Sequence, residues 1–487
     1  MLRNLPCLLA LAAAFSCQDP ETDPVTPVPP EPEGPSATVY VTDVSGKLME
    51  EGTVKLGKPA DAIFYKATLS GETFQQVDGF GFAITHASCY NLMLMPQEDR
   101  RALLEEIFSK DKGIGSSMAR ICIGGSDFSM DEYTWCDIPG MENFAVHALD
   151  QEWLFPVLDE IMRINPDVRF IGSPWSCPRW MKVADDLKTP YDAWTGGRLN
   201  PLYYKDYADY FVRWVREMES RGYPIYAVTL QNEPLNRGNS MSLYMGWKEQ
   251  RDFIKEAVGP AFVAAGLQTK ILLFDHNYDY EEIASERDYP IRILQDAEAA
   301  QYVAGSAWHN YRGRVTTLDK VHSAFPDKDI YFTEASIGSW NYTFAGCLIN
   351  DFRDIFLGTL GRFGKGVTLW NLMLDDEGKP FRPDGCSTCF GAVTLSTDDH
   401  KTITRNSHYY NVAHCSKVLL PGAVRLGTKG YESTGLTYQW YRNPDGSQAL
   451  LILNEGSSEE RVNFITDKYS LSCKVPAKAI QSILWKE

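Results

Sequence analysis

Eight short apolar runs recur through the middle of the chain, and helical patterns lie between them. The runs are "DGFGFAIT" (78–85), "SMARICIGG" (117–125), "VRFIGSPW" (168–175), "IYAVTLQNE" (225–233), "KILLFDHN" (270–277), "YVAGSAWHNY" (302–311), "DIYFTEAS" (329–336) and "GVTLWNL" (366–372). The intervening stretches include "EDRRALLEEIFS" (98–109) and "QEWLFPVLDEIMRIN" (151–165). In the second, Leu154, Val157, Leu158 and Ile161 recur at the spacing of one helix face. A third stretch sets Tyr204, Tyr207, Phe211, Trp214, Val215 and Met218 on one face. Strands that alternate with helices build a parallel sheet covered by helices. Eight such units over about 300 residues predict an α/β fold, a (β/α)8 TIM barrel. The rival is a doubly wound sheet. It would more often carry a glycine-rich phosphate turn after its first strand, and "DGFGFA" opens no clear helix.

The pattern turns all-β near residue 400. "LTYQWYR" (436–442), the turn "NPDGS", "QALLILN" (448–454) and "RVNFITD" (461–467) read as successive strands. Far upstream, "ATVYVTD" (37–43) alternates like a strand but has no place in the barrel. The expectation is therefore a β-sandwich built from both chain ends, residues 37–76 and 400–487, attached to a catalytic barrel over 77–399.

The first 17 residues, "MLRNLPCLLALAAAFSC", carry a basic Arg3 and an apolar run too short to span a bilayer, which reads as a signal peptide. The run stops at Cys17. The segment resembles a bacterial lipoprotein signal, in which such a cysteine is lipidated and becomes the mature N-terminus; ordinary secretion with cleavage nearby is the alternative. Residues 18–36 are rich in proline and acidic side chains and read as an extended spacer. Together these features predict export and tethering at the cell envelope, on the outer membrane or the cell surface, with the membrane touched only through a lipid anchor.

A net charge of −17 argues against a polyanion-binding surface, so nucleic acid is not an expected partner. The 12 Trp and 25 Tyr fit either a large aromatic core or rings that pack on sugar C–H faces. The 11 cysteines are widely spaced apart from Cys386 and Cys389. That pair has no second CxxC or spaced histidines to complete a zinc site, so a local loop disulfide is expected.

The barrel gives direction to two carboxylates. Residues at the C-terminal ends of barrel strands surround the active site. Glu233 ends the fourth run and Glu334 the seventh. Either alone could be a solvated strand end. A pair across one pocket mouth is what glycoside hydrolysis needs, one carboxyl to protonate the leaving oxygen and the other to attack or to activate water.

Seven stretches, "DGFGFAIT", "ARICIGGSDFS", "SPWSCPRWMK", "TLQNEP", "AWHNY", "FTEAS" and "LWNLMLDDEGKP", follow the order found in glycoside hydrolase family 30, and the chain resembles that family over nearly all of its length beyond the spacer. These are retaining β-glycosidases, among them glucosylceramidases and bacterial β-1,6-glucanases. The resemblance implies that Glu334 is the nucleophile, ionised, and that Glu233 is the acid/base, protonated at first. It further implies that Asp127 binds sugar hydroxyls, that Asn232 reaches the sugar 2-OH, and that Trp175 and Trp370 wall the subsite. Arg120 would hold a carboxylate, Tyr311 would bond the nucleophile, and His309 and Asn371 would lie beside it. For Arg120 a structural ion pair serves equally well. For the two tryptophans a buried core position does, and for His309 a plain structural bond. No cofactor or metal is implied. The stretch "RPDGCSTCFGA" (382–392) departs from the glucosylceramidase pattern toward the β-1,6-glucanase branch.

The reading is thus a retaining β-glycosidase acting on β-linked glucan, with β-1,6-glucan first. A glucosylceramidase or other exo-β-glycosidase is the alternative within the family. A catalytically inactive surface glycan-binding protein is the alternative from another class, and it would have no need of the paired glutamates. A metallohydrolase lacks its HExxH.

Overall fold

The computed structural model describes residues 34–61, 64–279 and 283–486. The expected signal peptide, Cys17 and the spacer through residue 33 lie outside the described residues. Eight parallel strands close into a barrel in chain order: β1 (Gly79–Ile84), β2 (Met118–Cys122), β3 (Arg169–Ser173), β4 (Ile225–Thr229), β5 (Lys270–Asn277), β6 (Val303–His309), β7 (Asp329–Glu334) and β8 (Gly364–Leu369). Each overlaps one of the eight apolar runs. The runs are continuous rather than alternating because strands of a parallel barrel are covered on both faces; all six residues of β1 are buried. One residue from each of β2 to β7 (Met118, Ile171, Ala227, Leu272, Ala307 and Tyr331) packs into a separate cluster that fills the barrel interior. Gly81 must lack a side chain, since a Cβ there would meet the Met118 carbonyl oxygen of the next strand at 1.7 Å.

The helical stripes read from the sequence face inward. Leu154, Val157, Leu158 and Ile161 are buried at and just before the helix Phe155–Ile164. Tyr207, Phe211, Trp214, Val215 and Met218 are buried along Tyr204–Ser220. No helix among the described residues is long and apolar enough to cross a membrane.

The small domain takes strands from both ends of the chain. Ser36–Asp43 pairs antiparallel with Ala479–Trp485, and Lys66–Val77 pairs with Ala423–Gly430, within one nine-stranded sheet. Its core centres on Trp440, Leu450, Ile452, Phe464 and Ile483.

The expected boundary at residue 400 is corrected. Helix Ser407–Ser416 packs against β1 and against the helix Phe344–Asp351, so it closes the barrel, and the sheet resumes at Ala423. All ten of its residues are buried, between the barrel on one side and the sheet on the other. A helix covered all round has no solvated face; buried polar residues such as Asn411 and His414 interrupt its apolar ones, and no amphipathic stripe marks it in the sequence. His414 bonds Thr42 Oγ1 and Ser482 Oγ, both at 2.8 Å, and so ties this helix to the two terminal strands.

Candidate active site

Both glutamates reach one pocket at the C-terminal end of the barrel. Glu334 is the last residue of β7 and His309 the last of β6. Glu233 does not end a strand as expected. β4 stops at Thr229, and the chain turns so that Asn232 N–H donates to the Pro174 carbonyl (2.8 Å) and Glu233 N–H to the Asp275 carbonyl (3.0 Å). That turn puts Glu233 at φ +47°, in the left-handed region. Such a conformation costs an L-residue about 1–2 kcal/mol and persists only where its surroundings enforce it. Phe274 and Asp275 in β5 also have positive φ, at a point where the pairing of β5 with β6 shifts register. The bulge aims both Asp275 and His276 at the carboxylates.

Glu334 is held from two sides. Arg120 Nη1 donates to Oε2 at 2.6 Å, and the Tyr311 hydroxyl donates to Oε1 at 2.9 Å. Arg120 also donates to Asp275 Oδ2 (2.7 Å), Asn232 Oδ1 (2.8 Å) and Ser173 Oγ (3.1 Å). Arg120 is buried and pairs with two carboxylates, those of Glu334 and Asp275. Its guanidinium centre lies 5.0 Å from the Trp175 ring, and Trp175 stacks on Trp370 at 5.0 Å.

Glu233 has different neighbours. His309 Nδ1 lies 3.4 Å from its Oε1, and Asn236 Nδ2 donates to its Oε2 at 2.7 Å. The far nitrogen of His309 donates to Asp275 Oδ1 at 3.0 Å. His309 Nδ1 is also 3.8 Å from Glu334 Oε1. One ring nitrogen therefore lies within 3.8 Å of an oxygen of each glutamate, so those oxygens are no more than twice that distance apart. This accommodates the separation of about 5–5.5 Å used by retaining enzymes.

These partners sort the charges. Burial pushes Asp275 up, but Arg120 beside it, with bonds from His309 and Thr333, holds it far below the usual carboxylate range. Burial alone would keep His309 neutral; the Glu334 charge and the bonds to Asp275 and Glu233 outweigh it and raise the imidazole to about 9. The protonated ring in turn draws Glu233 down to about 2 against its burial. Burial, with the charges of Glu233 and Asp275, leaves Glu334 above the usual range despite Arg120 and His309. Asp127 is pushed well above the usual range by burial and then by both glutamates. Burial and the neighbouring charges thus favour the proton on His309, the hydrogen-bond partner of Glu233, and of the two glutamates they push Glu334 up and draw Glu233 down.

The pocket has a volume of about 370 Å³ and is lined by five of the expected residues, Asp127, Glu233, Tyr311, Glu334 and Trp370. Arg120, Trp175, Asn232, His309 and Asn371 lie behind them. Asp127 Oδ1 is buried with no protein hydrogen-bond partner, and its residue lines the pocket, which suits a group that binds hydroxyls; Trp175 Nε1 and Asn371 Nδ2, behind the lining, are likewise unpartnered. The sequence reading missed Asp275, His276, Asn236 and Asn239. Asp275 had a signal, an acidic residue near the end of an apolar run, the same that marks Glu233. Glu233, His276 and His309 bring ligand-type atoms within 4.8 Å of one another. A cation there would first have to displace the His309 proton. The expected loop disulfide joins Cys386 to Cys389, and both line the pocket. A larger cavity of about 680 Å³ lies beyond Asn277, between the loops after β5 and β6, and contains neither glutamate.

The chain was compared with known proteins. Residues 77–419 match the glycosyl hydrolase family 30 TIM-barrel domain, and 422–483 match the glycosyl hydrolase family 30 beta sandwich domain. An endo-1,6-β-D-glucanase of Trichoderma harzianum is 32% identical over 429 residues, 83% of each chain. The lysosomal acid glucosylceramidase of Mus musculus is 27% identical over 436 residues, 85% of this chain and 82% of that one. The solved structure of the endo-β1,6-glucanase BT3312 superposes with a TM-score of 0.90 at 47% identity, covering 93% of this chain and all of the other.

Proposed function

Because the chain belongs to glycosyl hydrolase family 30 and is a glycosidase, we propose that it is a retaining endo-β-1,6-glucanase in which Glu334 attacks and Glu233 handles the proton. The observation that carries the roles is the asymmetry of the two carboxylates. Glu334 is oriented on both oxygens by Arg120 and Tyr311, as a nucleophile must be to reach an anomeric carbon. Glu233 is instead paired with a protonated imidazole. The proton for the leaving oxygen is therefore stored one hydrogen bond away. As the glycosidic oxygen departs, His309 passes its proton to Glu233, which hands it on to that oxygen, leaving His309 neutral and Glu233 ionised. Once Glu334 has formed the glycosyl ester its charge is gone, and Glu233, ionised again, takes a proton from water. Asp127, whose carboxyl burial pushes up, lines the same pocket and is placed to bond a sugar hydroxyl.

The choice of substrate is supported by the 382–392 stretch, which departs from the glucosylceramidase pattern, and by glucanases among the similar proteins. A glucosylceramidase is the second reading, favoured by the likeness to the mouse enzyme. Product analysis on a panel of β-1,6-, β-1,3- and β-1,4-glucans and glucosylceramide tests the choice. Rapid release of oligosaccharides from β-1,6-glucan alone is expected; faster turnover of glucosylceramide would reverse it. We also propose that Cys17 is lipidated and that the spacer tethers the barrel to the envelope, a reading supported by the N-terminal sequence alone.

A further inference from the structure

Trp340 has no part in the account above. Among the described residues it is the one tryptophan counted as exposed, with 51% of its surface open, and it lines the pocket that holds both glutamates. Exposing so large an apolar ring beside a catalytic pocket forgoes its burial, which makes it a candidate contact for ligand. The ring is not loose. It lies against Gly338, where an added Cβ would meet it at 2.0 Å. Ile337–Gly338 pairs antiparallel with Cys389–Phe390, and Ser339 N–H donates to the Thr388 carbonyl at 2.8 Å. The Cys386–Cys389 disulfide pins that second segment from the loop after β8, and both cysteines line the same pocket. A flat, preordered aromatic face costs little further entropy when a sugar ring packs on it.

We propose that Trp340 forms a second sugar position, stacking on the glucosyl unit next to the one being cleaved, and that the disulfide is a positioning element for it. This rests on the reading of the site as one that cleaves a β-glucan. The innermost unit meets Asp127, Trp370 and the two glutamates, and the chain must leave through the opening at which Trp340 stands.

The test compares kcat/KM on β-glucosyl fluoride, which has no second sugar ring, with kcat/KM on the best substrate from a panel of glucose oligomers of different β-linkage. For Trp340→Ala and Trp340→Leu, the oligomer-to-fluoride ratio should fall about tenfold or more, while Trp340→Phe should stay within about threefold of the parent. The Cys386→Ser/Cys389→Ser double variant should lower the same ratio by a smaller factor. An unchanged ratio in both non-aromatic variants, including equal losses on the two substrates, would overturn the proposal; the Leu variant keeps the test open if the Ala variant folds poorly. A best oligomer other than β-1,6 overturns the linkage choice and leaves the Trp340 comparison intact. A parent enzyme active on the fluoride and on no oligomer overturns both.

Discussion

In the proposed mechanism, the proton between His309 and Glu233 is the residue-scale feature on which the chemistry turns. Raising pH through about 9 strips His309. Lowering pH protonates Glu334, whose carboxyl lies above its ordinary value of 4.5. The pH profile of kcat/KM should therefore be a bell with its alkaline limb near 9 and its acid limb above 4.5. Replacing His309 by Gln removes the cation that holds Glu233 down. The alkaline limb should then move down toward the carboxyl range, with about a hundredfold loss of rate. An alkaline limb that stays in place in this variant would take His309 out of the proton path. The two glutamates were legible because each stood at the end of an apolar run. His309 and Arg120 came from family resemblance, and their partners were not legible. Asp275 and His276 are adjacent in sequence, and regular alternation would send them to opposite faces. The bulge at Phe274 and Asp275 brings both to the site, and a backbone irregularity of that kind leaves no mark in residue spacing.

At the scale of elements, the eight barrel strands were legible because parallel strands covered on both faces remain apolar throughout. The closing helix Ser407–Ser416 was not, since complete burial erases the stripe that reveals a helix. Its His414 links barrel to sandwich. Burial lowers that imidazole from 6.5 to about 3, so it is neutral in the folded protein, whereas the unfolded chain takes up a proton near 6.5. Between those values the unfolded state binds more protons. The contribution of His414 is thus fully present above pH 6.5 and is lost as pH falls toward 3. His276, lowered to about 3, and His86, lowered to about 4, act in the same direction. His414→Ala strips Ser482 Oγ of its partner and leaves Thr42 Oγ1 with only the Met49 N–H, and should cost about 1–3 kcal/mol at neutral pH. It should also flatten the acid side of the pH–stability curve. Denaturant unfolding from pH 4 to 8 measures both; a parent-like slope in the variant would show that other groups carry the acid sensitivity.

At the scale of the whole molecule, a sandwich built from both chain ends adjoins the barrel, and the proposed anchor would carry both on the spacer. Cys17→Ala should release the protein from the membrane fraction or block its maturation, and a variant that fractionates and matures like the parent would remove the anchor. Domain architecture was legible because strand and helix periods differ along the chain. The exposed Trp340 was not, because its role depends on a strand pair and a disulfide that bring two loops together. The central claim, that the molecule retains configuration through Glu334 and Glu233, has a direct test. Proton NMR in D2O, during the first minutes of β-1,6-gluco-oligosaccharide hydrolysis, reads the anomer released before mutarotation. The account predicts the β-anomer. An α-anomer would mean direct attack by water and would contradict the roles given to both glutamates.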